Sequence, residues 1–189
     1  MNLSPHRLRA LLIFRRLRLA VRFFGQPVDI DSSSWVSPRS EVRICGGGRI
    51  RIGKNCEIHP YSMILTYGGD IHIGDNCSLN PFAIVYGHGG VRIGDGVRIA
   101  AHTVIIPANH VAPAEGRALF ESGVTAHGIE IGDNTWLGSG VVILDGVRIG
   151  RNSIVGAGSV VTKSIPSDTT VAGVPARPIS QRADLRKGN

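Results

Sequence analysis

The chain is short of aromatic residues, which make up only 5% of it, and of cysteine, with Cys45, Cys56 and Cys77 alone. Few aromatics imply a narrow core without large flat side chains. Three thiols cannot all pair, and no CxxC or zinc-like spacing occurs, which fits a reducing compartment and excludes a disulfide framework. No apolar run approaches the ~18 residues of a membrane-spanning helix. The ALLIF stretch at 10–14 is too short for a typical signal-peptide core, and Arg15 and Arg16 follow at once. Acids are missing from residues 1–28, which hold six arginines, whereas residues 29–189 hold 15 basic and 14 acidic residues. The net charge of +7 therefore belongs mainly to one segment. A nearly neutral body is not a general phosphate binder, so nucleic acid is not expected as a partner.

What is abundant is glycine, 25 residues in 189, about twice the usual ~7%. It accompanies a six-residue frame: an aliphatic residue, often glycine, two polar or small residues, then a small or β-branched one. The frame reads IGKNC at 52–56, IHPYS at 58–62, IGDNC at 73–77, LNPFA at 79–83, IGDGV at 93–97 and IAAHT at 99–103. After Ile105 it breaks, then returns as IGDNT at 131–135, followed by Leu137, Ile143, Ile149, Val155 and Val161 at steps of six. A helix repeats near 3.6 and a strand at 2, so period six is one short strand plus one turn. Three such units close a triangular coil of 18 residues, the spacing of Ile131 and Ile149. Ile52, Ile73 and Ile93 are 21 and 20 apart, one coil plus small bulges at 67–70 and 87–90. Stacked coils put the aliphatic residues in internal ladders. Gly, Asn and Asp are expected at the corners, where positive φ costs least.

Two segments depart from the frame. Residues 109–128 form a long loop inside a regular solenoid, which is unusual without a function. Residues 1–24 read as a basic amphipathic helix, ended by Gly25 and Pro27. Ile13, Phe14, Leu17, Val21 and Phe24 lie on one face and Arg15, Arg18 and Arg22 on another. This helix either packs on the body or another subunit, or lies at an anionic membrane surface. The expected organisation is a basic helical segment at 1–28, the repeat domain at 29–179 and a polar tail at 180–189.

Over residues 35–179 the sequence resembles the hexapeptide-repeat acyltransferases, which build a left-handed parallel β-helix. The run from IGDNTWLGSG to GVPAR is similar to the maltose, galactoside and polysaccharide O-acetyltransferase branch. The resemblance implies an all-β triangular prism and an acetyl-CoA-dependent O-acetyltransferase acting on a sugar or glycan. It also implies a cytoplasmic homotrimer, peripheral at the inner membrane if the basic helix binds there, with no metal. It places a catalytic general base at His110, at the opening of the long loop. A sugar hydroxyl is a poor nucleophile at neutral pH, and a neutral imidazole can take its proton. Backbone amides near Gly138 and Ser139 would face the oxyanion. Asn80 matches an acceptor-orienting position, and His88 stands where galactoside enzymes carry an acid. Trp136, Ser139, Ala157, Thr162, Lys163 and Arg177 fall on the acetyl-CoA groove. The two cations there would meet phosphate or adenine.

Several residues admit plainer readings. His102 is a corner or interface residue, or lines the site. Glu121 is solvated, or orients His110. Cys56 and Cys77 share a frame position with Ser62, Ala83 and Thr103, so they are small core residues rather than nucleophiles. Asp75, Asp95, Asp133 and Asp145 are turn residues. Two other reactions compete. N-acetylation of an amino sugar shares the fold, and so does a zinc-dependent γ-type carbonic anhydrase. The latter needs an H-x4-H pair, and none occurs here. A non-catalytic scaffold is compatible with the repeats alone.

Overall fold

A computed structural model describes residue 23, residues 25–116 and residues 118–181. The expected helix over 1–24, with its membrane reading, lies outside the described residues except for Phe23, which is buried against the core. The residues beyond 181 also lie outside them.

The body is the parallel β-solenoid that the repeat predicts. Short strands stack into three faces. Face A comprises Val28–Ile30, Ile50–Ile52, Ile71–Ile73, Val91–Ile93, Ile129–Ile131 and Arg148–Ile149. Face B comprises Trp35–Val36, Glu57–Ile58, Ser78–Leu79, Arg98–Ile99, Trp136–Leu137, Ile154–Val155 and Thr169–Ala172. Face C comprises Glu41–Arg43, Met63–Leu65, Ile84–Tyr86, Val104–Ile105, Val142–Ile143 and Val160–Val161. The chain visits A, B and C in turn, making six coils. A last strand, Arg177–Gln181, folds back antiparallel on Thr169–Ala172. It runs through residue 180, where the sequence suggests a tail.

Each face has an inner ladder. Ile52, Ile73, Ile93, Ile131 and Ile149 are in register on face A, and all are buried. Cys56 and Cys77 are 1% and 2% exposed. Their thiols donate to the carbonyls of Gly74 and Gly94, each at 3.0 Å. The contact with Cys56 and burial push the Cys77 thiol up. These are core residues, as the frame position implies.

The outer ladders differ sharply. Face A presents Asp29, Arg51, His72, Arg92, Glu130 and Arg148 in register. Burial, Arg92 and Arg51 together hold the His72 imidazole below its ordinary pKa. Face C presents Met63, Ile84, Val104, Val142 and Val160 in register, all half-buried.

The corner from A to B follows expectation. Asn55, Asn76, Gly96, Asn134, Asn152 and Asp168 take positive φ there. The corner from B to C does not. Tyr61, Phe82 and His102 hold φ of 63°, 63° and 61°, and only Gly140 and Gly158 above them are glycines.

Candidate functional site

The fold sorts the sequence-predicted residues onto the two edges of face C. Asn80, Ser139 and Ala157 sit at the corner entering it from face B. His88, Thr162 and Lys163 sit at the corner leaving it for face A. The long loop leaves and re-enters the solenoid at that second corner, carrying His110. Its ends pair as a small antiparallel ladder, Asn109–His110 with Val124–Thr125. Within one chain, face C separates the His110 loop's corner from the Ser139 corner.

His110 is exposed. Among the described residues no side chain is hydrogen-bonded to its imidazole. Glu121 accepts from the Ala118 amide at 3.3 Å, so its carboxylate serves the loop's own turn. Asn80 donates through Nδ2 to the Ile99 carbonyl at 2.9 Å, which leaves its Oδ1 to accept. His88 stacks on Tyr67, centroids 4.8 Å apart and planes 14° off parallel. Its Nδ1 is buried and, among the described residues, has no partner.

The middle of the B-to-C corner has a pattern that bears on chemistry. The residues there are Pro38, Pro60 and Pro81 in the first three coils, then Ala101, Ser139 and Ala157. Proline has no N–H to present. Ser139 and Ala157 do, and among the described residues their amides donate to no one. Neighbouring donors are spent: Gly138 on Val155 at 2.8 Å, Gly140 on Ala101 at 3.0 Å and Gly158 on Ser139 at 2.8 Å. Two outward amides 18 residues apart, one coil, can meet a carbonyl or an oxyanion.

Lys163 and Arg177 come together at a cavity of about 300 Å³, lined also by Ser164, Pro166, Ala176 and Pro178. Strand Arg177–Gln181 brings Arg177 back to the sixth coil. Trp136 and Thr162 are exposed, Trp136 on the outer side of face B, and neither lines that cavity. Among the described residues no cluster of three or more His, Cys, Asp or Glu is arranged for a metal ion.

One pair escaped the sequence reading. His127, at the loop's return, places Nδ1 2.8 Å from Oδ2 of Asp145. The carboxylate also accepts the amides of His127 at 2.7 Å and Gly128 at 3.1 Å. Asp145 is thus more than a turn residue, since it fastens the loop. The signal was available: the two residues are 18 apart, one coil.

Residues 128–163 match the bacterial transferase hexapeptide model of six repeats. Over those residues the chain is similar to that family of transferases. Galactoside O-acetyltransferase of Escherichia coli K12 is 40% identical over 97 residues, 51% of this chain and 47% of that protein. The chain thus spans about half the length of this curated relative. A hexapeptide-repeat acetyltransferase of Vibrio cholerae O1 biovar eltor, solved with acetyl coenzyme A, superposes with a TM-score of 0.62 at 28% identity, covering 93% of this chain and 84% of that one. AntD, an N-acyltransferase from Bacillus cereus solved with dTDP and 3-hydroxybutyryl-CoA, gives a TM-score of 0.72 at 20% identity, covering 90% and 93%. That likeness is one of fold.

Proposed function

We propose that this protein transfers an acetyl group from acetyl-CoA to a sugar hydroxyl in glycan biosynthesis, with His110 as general base. The observation that carries the reading is the pair of unspent amides at Ser139 and Ala157, one coil apart. The cavity of Lys163 and Arg177 lies on the same C-terminal coils but at the opposite edge of face C, the edge that also carries the His110 loop. These residues fit an acyl-CoA: amides for the carbonyl and pantetheine, cations for phosphate. The hydroxyl oxygen attacks the thioester carbon, its proton passes to the His110 imidazole, and the carbon–sulfur bond breaks. The proton then goes to the departing thiolate. The oxyanion would be held by the Ser139 amide. Asn80 Oδ1 and His88 would orient the acceptor. The relative in Escherichia coli acts on galactosides by its name, which favours a hydroxyl acceptor over an amine.

The active unit is proposed to be a homotrimer packed through face C. Its outer ladder is apolar while that of face A is charged, and burying Val104, Val142 and Val160 is favourable. Packing through face C would bring one chain's His110 corner to its neighbour's Ser139 corner.

Acceptor-dependent release of free thiol from acetyl-CoA, screened over free, nucleotide-linked and lipid-linked sugars, tests the reading. Release with a sugar, lost in His110→Ala, is expected. Undiminished release by His110→Ala would remove His110 as the base, and release only with amino sugars would make the enzyme an N-acetyltransferase.

A further inference from the structure

The column at the B-to-C corner is built at a conformational cost. Left-handed φ is cheap for Gly and Asn, and bulky residues seldom take it. Tyr61, Phe82 and His102 all take it, in three successive coils. Their rings lie face to face: Tyr61 on Phe82 at 5.2 Å and 11°, Phe82 on His102 at 5.0 Å and 5°. All three are exposed, so burial in this chain does not repay the strain. Strain of this kind gathers at binding sites.

The column stops at an informative place. His102 has Phe82 under one face of its ring. Above the other face the next corner residues are Gly140 and Gly158. Among the described residues a Cβ built on Gly140 would meet only Gly158, at 3.9 Å, and one built on Gly158 would meet nothing within 4 Å. With coils about 4.8 Å apart, two empty rungs make a slot tall enough for a ring. The unspent amides of Ser139 and Ala157 stand on the same two rungs.

We propose that the upper face of His102 is a stacking platform, and that the flat C–H face of a pyranose continues the ring column in the slot opened by Gly140 and Gly158. This deepens the proposed function, on which it rests, by naming the surface that selects the acceptor ring. The rings below hold the imidazole parallel to the slot, so an aromatic ring of similar outline at 102 would serve as well. The glycines are required because any side chain there would occupy the ligand's place.

Saturation-transfer NMR on the full chain with CoA present tests this without any transfer reaction. The probes are methyl β-D-galactopyranoside, methyl β-D-glucopyranoside and methyl β-D-mannopyranoside. The expected result is a signal from at least one probe that weakens roughly tenfold in apparent affinity in His102→Gly and survives in His102→Phe. Gly140→Phe should abolish it while CoA binding is kept. Phe82 shows that an aromatic side chain can hold φ near that of Gly140, so this variant can fold. No signal from any probe, or equal signals in His102→Gly and Gly140→Phe, would overturn the proposal. So would a change in oligomeric mass in His102→Gly, which would make the column a subunit contact. Should the slot bind sugar while the thiol assay stays silent, the transfer reading fails and the slot stands.

Discussion

His127 Nδ1 lies 2.8 Å from Asp145 Oδ2, and the Asp145 side chain is only 1% exposed. A buried carboxylate is tolerable only when its charge is answered. Burial alone would raise its pKa, but the His127 ring and the amides of His127 and Gly128 outweigh that and lower it. Asp145→Ala should cost about 2 kcal/mol, since two backbone donors and an imidazole lose a charged acceptor. The sign with pH follows from the lowered pKa. The stabilisation is complete above the ordinary aspartate value of 3.8 and is lost as pH falls through the lower folded value. Urea midpoints of wild type and Asp145→Asn should differ at neutral pH and converge in acid.

Glycines at face-A strand ends are needed for space. A Cβ on Gly94 would collide with the Asp133 carboxylate and lie 2.8 Å from the Asp133 amide nitrogen. That carboxylate accepts the Asp95 amide at 2.9 Å, so it cannot move without loss. Gly94→Ala should destabilise by about 1–3 kcal/mol, read from thermal or urea unfolding. Gly116→Ala is the contrast for space alone, with nothing within 4 Å of its Cβ among the described residues.

The inner ladder through Ile52, Ile73 and Ile93 was legible because a burial requirement repeats along the chain with the coil. The conformation of Tyr61, Phe82 and His102 was not. The frame marks a corner, but closure of the coil, not residue type, sets φ there. Partition of the candidate site was hidden for a related reason. The family resemblance implies one site for His110 and Ser139, and only the three-faced path shows that face C stands between them within one chain. The outward amides of Ser139 and Ala157 were invisible in side-chain motifs, although Pro38, Pro60 and Pro81 at the same corner position mark where an N–H is not needed.

Lys163 and Arg177 share one cavity and should act on CoA rather than on the acceptor. Lys163→Ala should raise KM for acetyl-CoA roughly tenfold and leave acceptor KM unchanged. Rising salt should produce the same trend in wild type, because the contacts are exposed.

In the proposed trimer each active site joins the His110 loop of one chain to the Ser139 corner of another. Ser139→Pro removes the outward amide, and Pro81 shows that the corner accepts proline. His110→Ala removes the base. Each variant alone should be inactive with the acceptor found by the sugar screen. Refolded together in equal amounts, they should recover about a quarter of wild-type thiol release, since one interface in four then pairs an intact loop with an intact corner. Activity no greater than the sum of the separate variants would contradict a site shared between chains.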